Sequence, residues 1–184
     1  MANQPTLKTR RFELRPFHLS DAGRVKELCG DWRIADTTLH IPHPYEDGMA
    51  EEWIDTHAPK WSEGVEATFA VTDPHEREVI GAVGLRIENA HARGELGYWI
   101  GVPYWGQGIA TEAAGAVLRF AFENLGLNRV YATHVPRNPA SGRVMTKLGM
   151  RREGCLRSHA FSRGRYEDLI HYGIIAEDRR APDG

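Results

Sequence analysis

The residue types best able to do chemistry lie in one segment, Glu95-Leu-Gly-Tyr-Trp-Ile-Gly-Val-Pro-Tyr-Trp-Gly-Gln-Gly-Ile-Ala-Thr-Glu112. It reads as a strand, a glycine-rich turn and the start of a helix. The first N–H groups of a helix have no internal partner, and the helix N-terminus is electropositive. Gly106 and Gly108 tolerate positive φ and let a ligand approach the backbone closely. Such a turn suits a phosphate or pyrophosphate, although a plain tight turn uses the same residues. A P-loop needs Gly-Lys-Ser/Thr after four spacers, and that is absent. A dinucleotide fingerprint needs a βαβ frame and a later carboxylate, but the next strand ends Ala132-Thr133-His134-Val135.

The elements that must position this segment follow from pattern. Phe12, Leu14 and Phe17 predict a first strand, stopped at Pro16. Ser20 and Asp21 open a helix with Ala22, Val25, Leu28 and Cys29 on one face, ended by Gly30. A short helix is expected over 31–38 and a loop over 39–45, which holds Pro42 and Pro44. A helix from Asp47 carries Trp53 and Trp61 and should end or bend at Pro59. Strands are expected over 68–72, 79–87 and 94–102. Their short connections allow only an antiparallel meander. A helix after Gly108 is ended by Gly126, and a strand follows over 129–135. A helix over 140–148 and strands over 151–161 and 166–175 complete the chain. One domain over 1–178 is expected, with a loose tail over 179–184. The class is mixed α/β, α+β-like in its segregation of strands.

Composition bounds the function. The chain has 184 residues, 41% hydrophobic and 26% charged, which excludes general disorder. With 23 basic and 25 acidic side chains the formal net charge is -2, so a whole-protein nucleic-acid surface is not expected. No apolar run is long enough to span a membrane, and the N-terminus lacks the apolar core of a secretory signal. Cys29 and Cys155 read as reduced thiols of a cytoplasmic protein. His40 and His43 lack a third ligand, and no His-Glu-x-x-His or Cys-x-x-Cys occurs, so no metal is expected.

Four ordered segments resemble the GNAT superfamily of acyl-CoA N-acyltransferases. The nearest likeness is to its branch of ribosomal-protein N-terminal acetyltransferases of the Rim type. They are Glu95-Leu-Gly-Tyr-Trp-Ile100, Tyr104-Trp-Gly-Gln-Gly-Ile-Ala-Thr-Glu-Ala113, Asn138-Pro-Ala-Ser141 and Lys147-Leu-Gly-Met150. Arg11-Phe-Glu-Leu-Arg-Pro16, Ile41-Pro-His-Pro-Tyr45 and Gly81-Ala-Val-Gly-Leu85 extend the likeness over nearly the whole chain. The resemblance implies a GNAT fold. That fold has a central, mostly antiparallel twisted sheet of about seven strands, splayed at a cofactor-binding strand, with helices on both faces. It also implies acetyl-CoA as cosubstrate and an amine acceptor, possibly a protein N-terminus. A monomer or homodimer is expected, with no nucleic acid and no membrane. A CoA-binding module without turnover, or an acetyltransferase of a polyamine or aminoglycoside, are the alternatives.

The same resemblance assigns the site. Backbone N–H groups of Gly106, Gln107, Gly108, Ile109, Ala110 and Thr111 would hold the pyrophosphate. The superfamily's loop cation is replaced here by Trp105. Ile100, Gly101 and Val102 would pair with pantetheine as an added strand, and a backbone N–H near them would meet the oxyanion. Asn138 would bond pantetheine or cap the helix. Arg143 and Lys147 would reach the CoA 3′-phosphate. The tyrosine acid that many members place seven residues after this Asn is Met145 here, so Ser141 becomes the candidate donor or thiolate stabiliser, or merely a cap. The attacking amine must lose a proton. Glu95 is the first candidate base, with His134 and Asp168 open. Glu112 reads as structural. The position that carries a carboxylate in related enzymes is Ala160, beside His159. The basic run Arg151, Arg152, Arg157, Arg163 and Arg165 is a solvated face or an attractor of an acidic peptide or phosphates. Trp53 and Trp61 are core, acceptor-groove lining or dimer packing.

Overall fold

The structure, a computed structural model, describes residues 3–73, 75 and 77–179. Eight strands form one sheet in the order β1-β2-β3-β4-β5-β6-β8-β7. They are β1 (Leu7–Lys8), β2 (Glu13–Arg15), β3 (Glu66–Thr72), β4 (Val79–Glu88), β5 (Arg93–Ile100), β6 (Arg129–His134), β7 (Arg151–Ser162) and β8 (Arg165–Ile175). The strand beyond the seven expected is β1. Its two residues are too short to show a period of two, but it pairs with β2 through Leu7 and Leu14. The expected meander is present, with β3, β4 and β5 antiparallel. Among the described residues the only parallel pairing is β5 with β6.

The helices are α1 (Ala22–Cys29), α2 (Trp32–Thr37), α3 (Met49–Asp55), α4 (His57–Glu63), α5 (Ile109–Glu123) and α6 (Pro139–Lys147). Strand alternation sorts the core into two layers. Phe69 and Val71 of β3 and Leu96 and Ile100 of β5 face α5, whose Ala113, Val117 and Phe120 are buried against them. Ala70 and Ala82 face the other way, toward Val25 of α1 and Ala50 and Ile54 of α3. Trp99 packs on that second layer.

Two expected boundaries move. The break after Asp47 falls at Thr56, not at Pro59, because Pro59 sits in the first turn of α4, where no N–H is needed. The helix then stops at Gly64, which is left-handed with φ 72°. Strand β5 ends at Ile100, not Val102. Gly101 N–H still donates to the Ile80 carbonyl at 2.9 Å, but Val102–Tyr104 turn as a 3-10 helix. Pro103, with its φ fixed and no N–H, favours that turn over a longer ladder. At the C-terminus Arg179 closes a short 3-10 turn (Glu177–Arg179). The rest of the expected tail, 180–184, lies outside the described residues, as does Pro74 of the expected 73–75 turn. No helix among the described residues is long and apolar enough to cross a membrane.

His57 sits between the two ring systems of Phe17 and Trp53, 5.3 and 4.5 Å away between centroids. It is 7% exposed and neither ring nitrogen finds a hydrogen-bond partner. Burial pushes its pKa down to about 4. The folded state therefore holds His57 neutral, whereas the unfolded chain takes up a proton below about 6.5. Stability contributed by the neutral ring is complete above that value and is lost as pH falls toward 4, by about 2–3 kcal/mol. Urea unfolding of the wild type and His57→Leu at pH 7 and pH 4.5 checks this. The gap between the two pH values shrinks in the variant.

Candidate active site

The site forms where β5 and β6 part. They pair only over Arg93↔Arg129, Gly94↔Val130 and Glu95↔Tyr131, and then separate. Gly101 bonds Ile80 on β4, so with the two-residue repeat the odd-numbered residues of β5 serve β4. The even-numbered ones, Leu96, Tyr98 and Ile100, turn their backbone groups to the opened edge. Val102 has the same parity but lies in the turn, and its carbonyl accepts from Trp105 N–H at 3.2 Å. The Ile100 carbonyl accepts from Trp105 Nε1 at 2.6 Å. That bond fixes the glycine turn against the end of β5.

Gly106 and Gly108 both have positive φ, 78° and 76°. Gly108 is the N-cap of α5, so the first N–H groups of a 15-residue helix open at this turn. A Cβ on Gly106 would meet nothing within 4 Å, and one on Gly108 only Arg11 Nη2 at 3.6 Å. The turn is held from behind. Arg11 donates to the Gln107 carbonyl at 3.1 Å and to Glu112 Oε2 at 2.7 Å, while Thr9 Oγ1 and Arg11 N–H each reach Glu112 Oε1 at 2.8 Å. Glu112 thus ties the β1–β2 connection to the first turn of α5. Desolvation pushes its pKa up, but the bonds from Arg11 and Thr9 outweigh it and leave it below the usual range.

A cleft of about 1290 Å³ runs along the opened edge. Of the sequence-predicted residues, Glu95, Ile100, Gly106, Gly108, Ile109, Ala110, Thr111, Asn138, Ser141 and Arg143 line it. Gly101, Val102 and Gln107 do not. Asn138 is the N-cap of α6: its Oδ1 accepts from Ser141 N–H at 3.2 Å, and its Nδ2 reaches the Thr37 carbonyl at 3.4 Å. Ser141 Oγ meets Tyr98 OH at 2.8 Å. Tyr98 was visible within the 95–100 motif, but only the alternation of β5 reveals that it faces α6. Arg143 and Lys147 both line the cleft, and neither has an ion-pair partner among the described residues.

The candidate bases fall in different places. Glu95 lines the floor where β5 and β6 part, 3.3 Å from Arg86 Nη1. His134 is buried, its Nδ1 2.9 Å from the Val135 carbonyl. Its Nε2 faces Gly142, where a Cβ would come within 2.7 Å. Asp168 does not line the cleft; its Oδ1 accepts from Ser158 N–H at 2.7 Å on the β7–β8 hairpin.

The other wall comes from α2, the 38–42 segment and α3, with Ile41, Tyr45, Met49 and Trp53. The β7–β8 turn does not line the cleft but braces this wall. Arg163 donates to the Thr38 and Ile41 carbonyls at 2.9 and 2.5 Å. Arg137, missed in the sequence, joins the same wall: it donates to Glu167 Oε2 and the Asp36 carbonyl, both at 2.6 Å. Among the described residues no group of three or more His, Cys, Asp or Glu is placed to hold a metal ion.

A strand splayed from its neighbour, with free backbone at its edge and a glycine-opened helix N-terminus at its end, is the arrangement expected of a CoA-dependent acyltransferase. Comparison with known proteins agrees. The chain belongs to the GNAT acetyltransferase family, whose domain profile matches residues 11–151. It is 31% identical to the uncharacterized N-acetyltransferase p20 of Bacillus licheniformis, covering 94% of this chain and 97% of p20. It is 26% identical to the [ribosomal protein uS5]-alanine N-acetyltransferase of Escherichia coli, covering 94% and 91% of the two chains. The Mycobacterium smegmatis RimJ structure, in complex with CoA-disulfide, superposes with TM-score 0.84 at 22% identity, over 97% of this chain and 91% of that one. The protein is an N-acetyltransferase that uses acetyl-CoA.

Proposed function

We propose that the acceptor is the α-amine of a peptide or protein N-terminus, and that transfer is direct from the thioester. The observation that carries this reading is the cleft of about 1290 Å³, which joins the opened edge of β5 to an apolar, aromatic second wall. Five basic side chains line the cleft against three carboxylates, which argues against a polycationic acceptor. Of those carboxylates, Glu66 lies 3.0 Å from Lys60, Glu95 is paired with Arg86, and Glu52 is the third. The relative named as acting on an alanine of ribosomal protein uS5 supports a protein acceptor. An α-amine, with pKa near 8, also needs less help to lose its proton than a lysine-type amine near 10.4.

In this reading pantetheine lies along Tyr98 and Ile100 as an added strand. The pyrophosphate sits on the N–H groups of Gly108 to Thr111 at the positive end of α5. Arg143 and Lys147 reach the outer phosphate, and the Ile100 N–H meets the oxyanion. The amine enters from the Trp53 side, attacks the carbonyl carbon and passes its proton through water to Glu95. The C–S bond then breaks, and the sulfur leaves beside Ser141. A ribosomal-type acceptor would put this reaction in the cytoplasm.

The test is thiol release from acetyl-CoA with peptides beginning in Ala or Ser, with spermidine, with an aminoglycoside and without amine. Peptide-dependent release is expected. Turnover with spermidine alone would overturn the acceptor class. The same assay on Glu95→Gln reads the base, since an unshifted acid limb of the pH–rate profile would remove Glu95 from that role.

A further inference from the structure

We propose that Tyr98 is a positioning residue that aims the Ser141 hydroxyl at the departing sulfur of CoA. This inference rests on the reading that the cleft takes acetyl-CoA with Ser141 beside its thioester. Tyr98 projects from the opened stretch of β5 into the α5–α6 layer, packed on the cluster that holds Ile100 and Met145. Its phenol oxygen lies 2.8 Å from Ser141 Oγ and 3.1 Å from the Ser141 carbonyl.

Each hydroxyl has one hydrogen, so two arrangements are open, and only the first makes both contacts hydrogen bonds. In one, Tyr98 donates to the carbonyl. The Ser141 O–H must then donate to the phenol oxygen and is lost to the cleft. In the other, Tyr98 donates to Oγ, and the Ser141 hydrogen is free to point at a ligand. The carbonyl already serves the helical repeat of α6 and is the more distant acceptor. A developing thiolate tips the pair to the second arrangement, because a hydrogen bond to an anion is the stronger one. Burial drives the phenol pKa up to about 12, so Tyr98 keeps its hydrogen throughout.

No proton leaves either hydroxyl in this step. The N–C bond forms, the C–S bond breaks, and the sulfur departs with the electron pair as a thiolate. Ser141 donates a hydrogen bond to it, and solvent later protonates it. A thiol is acidic enough, near pKa 8.5, to leave this way.

The test needs no acceptor amine. Bound CoA is titrated by its thiolate ultraviolet absorbance in the wild type, Tyr98→Phe, Ser141→Ala and the double variant. The bound thiol of the wild type should have a lower pKa than free CoA. Each single variant should raise it by about 0.5–1 unit, a 3- to 10-fold loss of thiolate stability, and the double variant no further. Turnover should fall by the same factor, with KM for acetyl-CoA within about twofold. A fluorinated tyrosine at position 98 keeps the packing and donates more strongly, so it should lower the thiol pKa even if Tyr98→Phe folds poorly. Unchanged thiol pKa in Tyr98→Phe and with the fluorinated residue, or additive effects in the double variant, would overturn the inference while leaving acetyl-CoA binding intact. Failure of the wild type to bind CoA would instead overturn the underlying reading, and the inference with it.

Discussion

Replacing Gly108 with valine lowers kcat/KM for acetyl-CoA about 100-fold while leaving the fold in place. Gly108 has φ 76° as the N-cap of α5. A β-branched residue in that region costs more than the ~1–2 kcal/mol of an ordinary one. The protein itself leaves room for a Cβ, whose only near neighbour is Arg11 Nη2 at 3.6 Å. The added methyls instead occupy the space before the helix N–H groups, where a pyrophosphate must come within hydrogen-bond distance. Helix and loop cannot both relax, because Trp105, Arg11 and Glu112 hold the turn on both sides. The melting temperature should fall by about 4–12 °C, since a cost of about 2–3 kcal/mol shifts a chain of this size by about 2–4 °C per kcal/mol. Steady-state kinetics beside thermal melting with and without acetyl-CoA checks it. A kcat/KM within threefold of wild type would show that this turn does not carry the phosphates.

The second large effect is on stability. Arg137→Ala should destabilise the protein by about 2–4 kcal/mol, because removing one partner leaves a buried charge under-compensated. Glu167 is only 8% exposed as a side chain and is held by Arg137 and Arg165, each at 2.6 Å. Desolvation pushes the Glu167 pKa up, but the two guanidinium groups outweigh it and leave it below the ordinary range. That contribution is present above the unfolded carboxylate pKa and is lost as pH falls through the folded one. Arg137 also spans the Asp36 carbonyl at the end of α2, so its loss loosens the wall on the acceptor side. Denaturant melts at pH 7 read the stability. Acceptor KM should rise, while acetyl-CoA binding is kept. Loss below 1 kcal/mol would mean that Arg165 alone neutralises Glu167.

Much of this organisation was legible in residue order. The meander over β3 to β5 follows from connections too short for a crossover helix, and the helix after Gly108 from its apolar face. The glycine pair and the start of the helix within the Glu95–Glu112 segment were legible because turn chemistry and helix N-termini are local properties. Strand alternation and glycine punctuation depend on neighbours a few residues apart, so the sequence displays them directly.

Other features needed the folded chain. Strand β1 is two residues long and exists only because β2 offers it an edge. The end of β5 at Ile100 depends on Pro103 and on the Trp105 indole closing back over the ladder. The Arg11–Glu112 clamp joins residues 101 positions apart, as does the Arg137–Asp36 contact. Tyr98 and Ser141 are 43 positions apart, and their meeting depends on how far β5 and β6 have separated when α6 crosses above them. A motif can name the residues proposed to hold acetyl-CoA because each is set by its own turn or helix end. Which hydroxyl directs which, and which guanidinium holds which carboxylate, are relations across the fold. They are fixed by long-range packing, which no local spacing encodes.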